Sequence, residues 1–378
     1  MLNFPHTHIE GKMILSQKIH SDKSLTHLED FLSQVHFSSQ DYLTSVQKIL
    51  KELPLSAEFS LCQGIPIAEI GPSQSHNHLI VSAGLHGVEG RFGTLLCAAF
   101  LKSLLESDLK QTKLTIIFAL NLDQMAQCRR WGPTNADLNR SFPSALISEV
   151  SPTFEGIWQK LYQEFGPHQP KTVNLLRFIQ TALQLIRQQG LNPLVQTLPQ
   201  GQERFADFVF YREKQLTKQV QHIQECMIYL VKPHQRTLHI DLHTGFGPWA
   251  KLQSLTPVGP LAKALGREAQ VYPTPGGFLD WCQNQFSKHP YQSTTAEFGT
   301  SIPISIFYAL LAENHNHHKR DSSPDTQKRL LSSQAKVLNA FFPKSPRWRR
   351  KALREGILFL QEALSKLGED GSPLVPKL

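Results

Sequence analysis

Long apolar runs are missing from this 378-residue chain, and no stretch approaches the roughly 18 apolar residues of a membrane span. Residues Met1 to His20 also lack a continuous apolar core of the length a secretory signal needs. Cysteine is scarce and unpatterned. Its five positions (Cys62, Cys97, Cys128, Cys226 and Cys282) are odd in number and hold no C-x-x-C pair, so neither a disulfide framework nor a structural zinc knuckle is indicated. Charged residues make up only 19% of the chain and are spread along it, against 40% apolar residues, a balance that argues against extensive disorder. There is no internal repeat and no recognised nucleic-acid-binding motif. These absences lead to the expectation of a soluble, cytoplasmic protein without membrane or nucleic-acid partners. Its length allows one large domain or two small ones.

The net charge of +8 is concentrated near the C-terminus, in Lys344, Arg347, Arg349, Arg350, Lys351 and Arg354. Trp348 lies inside this cluster, and Ala352, Ile357, Leu358 and Leu360 follow at helical spacing. The pattern predicts a terminal helix with a solvated basic face rather than a nucleic-acid site. A second polar tract, Glu313 to Gln327, contains His315, His317 and His318 and is expected to be a surface loop.

Four short apolar segments read as buried strands: His78 to Ala83, Lys113 to Leu120, Thr237 to Leu242 and Thr294 to Phe298. Amphipathic stretches lie between them, including Phe92 to Ser107, Val173 to Gln189 and Gln215 to Val231. Strands alternating with helices predict an α/β fold with a mixed, largely parallel central sheet flanked by helices. In such sheets the chemistry collects at the carboxyl ends of the strands.

Each predicted strand leads to residues of chemical interest. After the first, His86-Gly87-Val88-Glu89-Gly90 puts an imidazole and a carboxylate on a strand-to-helix turn, where the two could share a zinc ion. After the second come Arg129, Arg130, Asn139 and Arg140, a set of forked donors suited to a carboxylate. Within the third, His239, Asp241 and His243 face one side while Ile240 and Leu242 face the other. His243 is a candidate third zinc ligand, in competition with a core histidine bonded to a backbone carbonyl. The fourth carries Glu297 between Ala296 and Phe298, an awkward place for an unpartnered carboxylate but a useful one for a base beside activated water.

Taken in order, H-G-V-E-G, R-R-W-x(5)-D-L-N-R, D-L-H-T-G-F-G and A-E-F-G-T resemble the signature of the zinc metallocarboxypeptidase superfamily. The nearest likeness within it is a bacterial branch described as uncharacterised zinc-carboxypeptidase-like proteins. Residues 37–42, Gly201-Gln202, Phe210-Tyr211 and Ala340-Phe341-Phe342-Pro343 with Trp348 are similar to that branch as well. The likeness runs from about residue 36 to 367, which implies an N-terminal extension (1–35), one catalytic domain (36–367) and a short tail (368–378).

The resemblance implies one zinc ion per chain, held by His86, Glu89 and His243. It implies Glu297 as general base and Arg130 as the group facing the oxyanion, with Arg129 as the other candidate and a substrate-binding cation. Asn139 and Arg140 would grip the substrate carboxylate, and Asp137 would orient a zinc-bound histidine. The implied activity is hydrolysis of a peptide or amide bond next to a free carboxylate. The alternative is deacylation of N-acyl amino acids, as in aspartoacylase-like and desuccinylase-like relatives. Val88 stands where well-known peptidases of the superfamily carry an arginine, and Tyr272 is a guess for their substrate-capping tyrosine.

Overall fold

The computed structural model describes residues 22–143, 152–170, 172–190, 193–194, 200–269, 276–321 and 323–369. Tyr272, residues 1–21 of the expected extension and residues 370–378 of the expected tail lie outside the described residues.

Among the described residues, eight strands form one sheet: β1 (Ala57–Cys62), β2 (Ile65–Ile70), β3 (Asn77–Ala83), β4 (Thr112–Ile117), β5 (Arg236–Trp249), β6 (Leu252–Val258), β7 (Glu268–Ala269) and β8 (Tyr291–Gly299). The spatial order is β1-β2-β4-β3-β5-β8-β6-β7. The central four, β4-β3-β5-β8, are parallel, and antiparallel pairs flank them on both sides. This is the mixed, largely parallel α/β sheet predicted.

The described helices are α1 (Lys23–Leu32), α2 (Ser39–Lys51), α3 (Gly90–Lys102), α4 (Leu122–Ala126), α5 (Pro152–Phe165), α6 (Leu175–Gln189), α7 (Lys218–Leu230), α8 (Pro260–Ala264), α9 (Phe278–Gln285), α10 (Pro303–His318), α11 (Pro324–Phe341) and α12 (Pro346–Glu369). Their starts are written in the sequence. Ser38 and Thr217 cap α2 and α7 by accepting from the backbone N–H of Asp41 and Val220, and proline opens α10 and α11, where its missing N–H costs nothing.

Both faces of the sheet are buried, which is why β3 reads as an almost unbroken apolar run. Leu79, Val81 and Ala83 point into a large core with Phe92, Phe298, Trp348 and Ile357, to which α3 and α12 contribute. Ile80 points the other way, into a smaller core with Val220, Ile223 and Met227 of α7 and Phe278 of α9. Leu25, Leu28 and Leu32 of α1 are buried in the large core too. Trp348 donates its indole N–H to the Gly299 carbonyl at 2.8 Å, tying the start of α12 to the end of β8.

The terminal helix matches its expected pattern. Arg347, Arg350, Lys351 and Arg354 are exposed while Ala352, Ile357 and Leu360 are buried. Arg349 is the exception: it is buried, donates to the Pro343 carbonyl at 2.8 Å and pairs with Glu29 at 2.7 Å.

The loop expected over Glu313 to Gln327 is a misreading. Helix α10 continues to His318 and α11 begins at Pro324. The polar residues Glu313, Asn314 and His315 are buried, each by a specific partner, so composition alone concealed the helix.

Two histidines on the sheet are buried in the neutral form. Burial, aided by the charge of Lys113, depresses His78 to about 3, and burial depresses His239 to about 4. A histidine whose folded value lies below its unfolded one contributes stability above about pH 6.5, and that stability is lost as pH falls toward the folded value. Each should therefore cost about 1.4 kcal/mol per pH unit on the acid side of pH 6.5. Urea unfolding of the wild type between about pH 7.5 and pH 5 should show this loss, with His78→Gln losing about 1–2 kcal/mol less over the same interval. Equal slopes for the two proteins would refute the assignment.

Candidate metal centre

The parallel register sets the positions of the site. Ala83 of β3 lies beside Leu242 of β5, Leu242 beside Ala296 of β8, and the next pair is His243 with Glu297. β3 ends there, and the chain turns at Gly84, whose φ of +73° suits glycine. A one-turn 3-10 segment, Gly87–Glu89, then leads into α3. Gly87 is required by space: a Cβ there would lie 2.5 Å from the Arg129 carbonyl oxygen. That close approach lets the turn bond to the neighbouring loop. The N–H of Val88 donates to the Arg129 carbonyl (2.8 Å), and the N–H of Gly87 to that of Arg130 (3.2 Å). Val88 itself is buried in the large core, so the slot between His86 and Glu89 faces packed side chains, where a charge would have no partner.

These constraints bring His86, Glu89 and His243 together, with one donor atom from each lying within 4.8 Å of the others. All three are buried. His86 Nδ1 is 3.0 Å from Glu89 Oε1 and His243 Nδ1 is 3.0 Å from Oε2. The far nitrogen of each ring meets an aspartate: His86 Nε2 lies 2.9 Å from Asp137 Oδ1, and His243 Nε2 lies 2.7 Å from Asp241 Oδ2. Asp137 and Asp241 thus hold matching positions on the two rings.

The donor set suits a divalent ion on its own chemistry. Two imidazoles and a carboxylate are a common hydrolytic zinc set, and ring nitrogens backed by carboxylates are the usual way of orienting such ligands. His86 Nδ1 adds a specific sign, since it is buried and faces Glu89 Oε1 at 3.0 Å without the alignment of a hydrogen bond. Among the described residues this is the one group of three with the geometry to hold a metal ion.

The electrostatics lean the same way. Burial works to raise Glu89, but the charges of His86 and Arg130 override it and hold the carboxyl well below its usual range. Asp137 is likewise held low against its burial by Arg140, His86 and Arg130. Glu297 goes the other way. Burial and the negative charge of Glu89 push it up to about 7, while one of its oxygens accepts from the Phe246 N–H at 2.8 Å.

Arg130 lies across the cluster. It donates to Glu89 Oε1 at 2.5 Å and lies 2.9 Å from His86 Nε2, with its guanidinium near the rings of Phe210 and Phe341. Arg140 donates to Asp137 Oδ2 at 3.0 Å. Asn139 accepts from the Phe278 N–H at 2.9 Å, which fixes its side chain against the start of α9.

Arg129 requires a correction. It is 2% exposed, and its guanidinium is engaged by Glu313 (2.9 Å), His317 (2.9 Å) and Asn135 (2.9 Å), so it faces α10 instead of a substrate. Of the two adjacent arginines, Arg130 is the one that faces the cluster. Sequence reading missed Glu313, because a glutamate beside Asn-His-Asn-His-His carries the signal of a solvated tract. The register of three consecutive polar residues facing one way on β5 was the signal that could have promoted Asp241 and His239.

Residues 63–355 match the family described as "Protein of unknown function (DUF2817)". No curated protein matches the sequence. Among solved structures, the chain is similar to bovine thrombin-activatable fibrinolysis inhibitor in complex with tick carboxypeptidase inhibitor, at 12% identity, covering 89% of this chain and 99% of that chain with a TM-score of 0.47. It is similar to carboxypeptidase A from Helicoverpa armigera at 13% identity, covering 80% and 74% with a TM-score of 0.43. Murein-tripeptide amidase MpaA from Escherichia coli O157 is similar at 17% identity, covering 73% and 97% with a TM-score of 0.36. The family match takes in most of the chain and every residue of the centre described above, and on that ground the chain belongs to the DUF2817 family.

Proposed function

We propose that this protein is a zinc-dependent hydrolase that cleaves a peptide or amide bond next to a free carboxylate. The observation that carries this reading is the convergence of His86 and Glu89, just beyond the end of β3, with His243 of β5, and with Glu297 paired beside His243 on β8. A purely metal-storing site has no use for this additional carboxylate.

A zinc ion bound there supplies a water that is acidic near neutrality and a Lewis acid for the acyl oxygen. The remaining work belongs to the chain. Glu297, raised to about 7, is suited both to take a proton from water and to return it to the departing amine. Arg130 offers a fixed cation where negative charge develops on the acyl oxygen. Asn139 and Arg140 hold the substrate's carboxylate, so that the scissile bond is oriented before reaction. Asp137 and Asp241 keep the two imidazoles in place.

Purified protein should carry about one zinc per chain. Replacing His86 and His243 together by alanine should abolish that content, and undiminished zinc in the double variant would refute the ligand assignment. Glu297→Gln should keep its zinc while losing hydrolysis by about a hundred- to ten-thousand-fold. Assays on peptides with free C-termini beside N-acyl amino acids would show which acyl group is taken. Wild-type rates in Glu297→Gln would remove Glu297 from the mechanism.

A further inference from the structure

We propose that Ser82, His239 and Tyr291 are positioning residues that hold Asp241, and through it the nitrogen of His243 that faces the metal centre, by a chain of buried hydrogen bonds that converges on Asp241. The proposal rests on the reading of His243 as a metal ligand. The three residues themselves have no part in the hydrolytic mechanism above.

Three neighbouring strands contribute. His239, Asp241 and His243 share one face of β5, opposite to Leu238, Ile240 and Leu242, which enter the large core. Ser82 of β3 is the direct cross-strand partner of Asp241, and Tyr291 of β8 lies beside Thr237. All five polar residues are buried. The contacts run without a gap: Tyr291 hydroxyl to His239 Nδ1 at 2.6 Å, His239 Nε2 to Ser82 Oγ at 2.7 Å, Ser82 Oγ to Asp241 Oδ1 at 2.6 Å, and Asp241 Oδ2 to His243 Nε2 at 2.7 Å.

Elementary donor rules fix the direction of each link. A carboxylate only accepts, so Ser82 spends its single proton on Asp241. The Ser82 oxygen can then only accept from His239, which must carry its proton on Nε2. A neutral imidazole has one N–H, so His239 Nδ1 is a lone pair that accepts from the Tyr291 hydroxyl. Burial, which depresses His239 to about 4, keeps the ring neutral as this scheme requires. At the other end Asp241 Oδ2 accepts from His243 Nε2–H, so that in the neutral ring it is Nδ1 that carries the lone pair. That nitrogen is the one beside Glu89. Every proton in the chain thus points toward Asp241, and the outcome is a His243 ring with its lone pair presented to the centre.

Removing the Ser82 hydroxyl would leave Asp241 Oδ1 and His239 Nε2 both unpartnered, freeing the carboxylate to rotate and the His243 ring to change tautomer. Loss of such outer support weakens metal binding by about 10–100-fold. A hydroxyl–imidazole pair elsewhere on the same sheet, His78 Nε2 with Thr115 Oγ1 at 2.8 Å, serves as a control of equal burial.

The test combines nitrogen-15 NMR of the histidines in metal-free wild type with zinc affinity, measured by chelator competition, in Ser82→Ala, Tyr291→Phe and Thr115→Ala. The expected results are His239 protonated at Nε2, zinc affinity lowered about 10–100-fold in Ser82→Ala and by less in Tyr291→Phe, and unchanged zinc affinity in a less stable Thr115→Ala. A proton on Nδ1 of His239 would overturn the proposal. So would wild-type zinc affinity in folded Ser82→Ala and Tyr291→Phe, or an equal loss in Thr115→Ala. Should Ser82→Ala fail to fold, the wild-type tautomer and Tyr291→Phe decide the matter. If the wild type binds no zinc, the hydrolase reading fails, while the NMR result still settles the direction of the chain.

Discussion

Glu89 is a carboxylate that water does not reach, and the rest of the molecule is arranged to make that tolerable. At 2% exposure its desolvation costs several kcal/mol unless charge and hydrogen bonds compensate. Compensation comes from two distant parts of the chain: Arg130 in the loop after β4, and β5, where His243 Nδ1 lies 3.0 Å away and the Thr244 N–H donates at 3.1 Å. None of these is available until β3, β4 and β5 are in register. A one-residue slip of β5 would turn His243 away and leave the carboxylate unpaired. Fold and site are therefore one constraint, met or lost together.

Around that carboxylate lies a second frame whose members touch no ligand atom. The Arg129–Glu313 pair is buried on both sides and fastens the loop at Arg129-Arg130 to α10. Since the carbonyls of those two arginines accept from Val88 and Gly87, α10 reaches the ligand turn through only two links. Buried ion pairs add little net stability compared with apolar residues of the same size, but they are strict about geometry. Neighbouring arginines thus divide the work, one holding the loop still and the other facing the centre.

This division explains what the sequence disclosed and what it hid. β3 and β4 were legible because burial on both faces favours nearly continuous apolar runs, β5 through its alternation of polar and apolar residues and β8 through its adjacent threonines, and their order in the chain put His86, His243 and Glu297 at or near the ends of the predicted strands. β1 and β6 were not legible, because their sides alternate between partly buried and exposed and their sequences mix Glu, Ser, Gln and Pro with apolar residues. Helix α10 was hidden for a different reason. Glu313, Asn314 and His315 occupy core positions as polar residues whose partners (Arg129, Asn135 and the Phe165 carbonyl) lie far away in sequence. Periodicity recognises a face by its hydrophobicity, so a face buried through hydrogen bonds looks like solvent. Arg129 was misassigned for the same reason, its partner being 184 residues away.

The formal charge of the assembled centre carries the reasoning one step further. Four carboxylates, Glu89, Asp137, Asp241 and Glu297, face two guanidiniums, Arg130 and Arg140, so with neutral imidazoles the cluster is two positive charges short. The shortage has visible effects on the titrating groups. His243 is held well above its ordinary range, because Asp241 and Glu89 outweigh its burial and draw a proton to it. Glu297 rises to about 7, because burial and Glu89 oppose its ionisation. Both shifts are ways of adding positive charge to a cluster that lacks it. A divalent cation among the three converging donor atoms would supply the missing two charges at the point where they are needed, so the donor set suits such an ion in charge as well as in geometry.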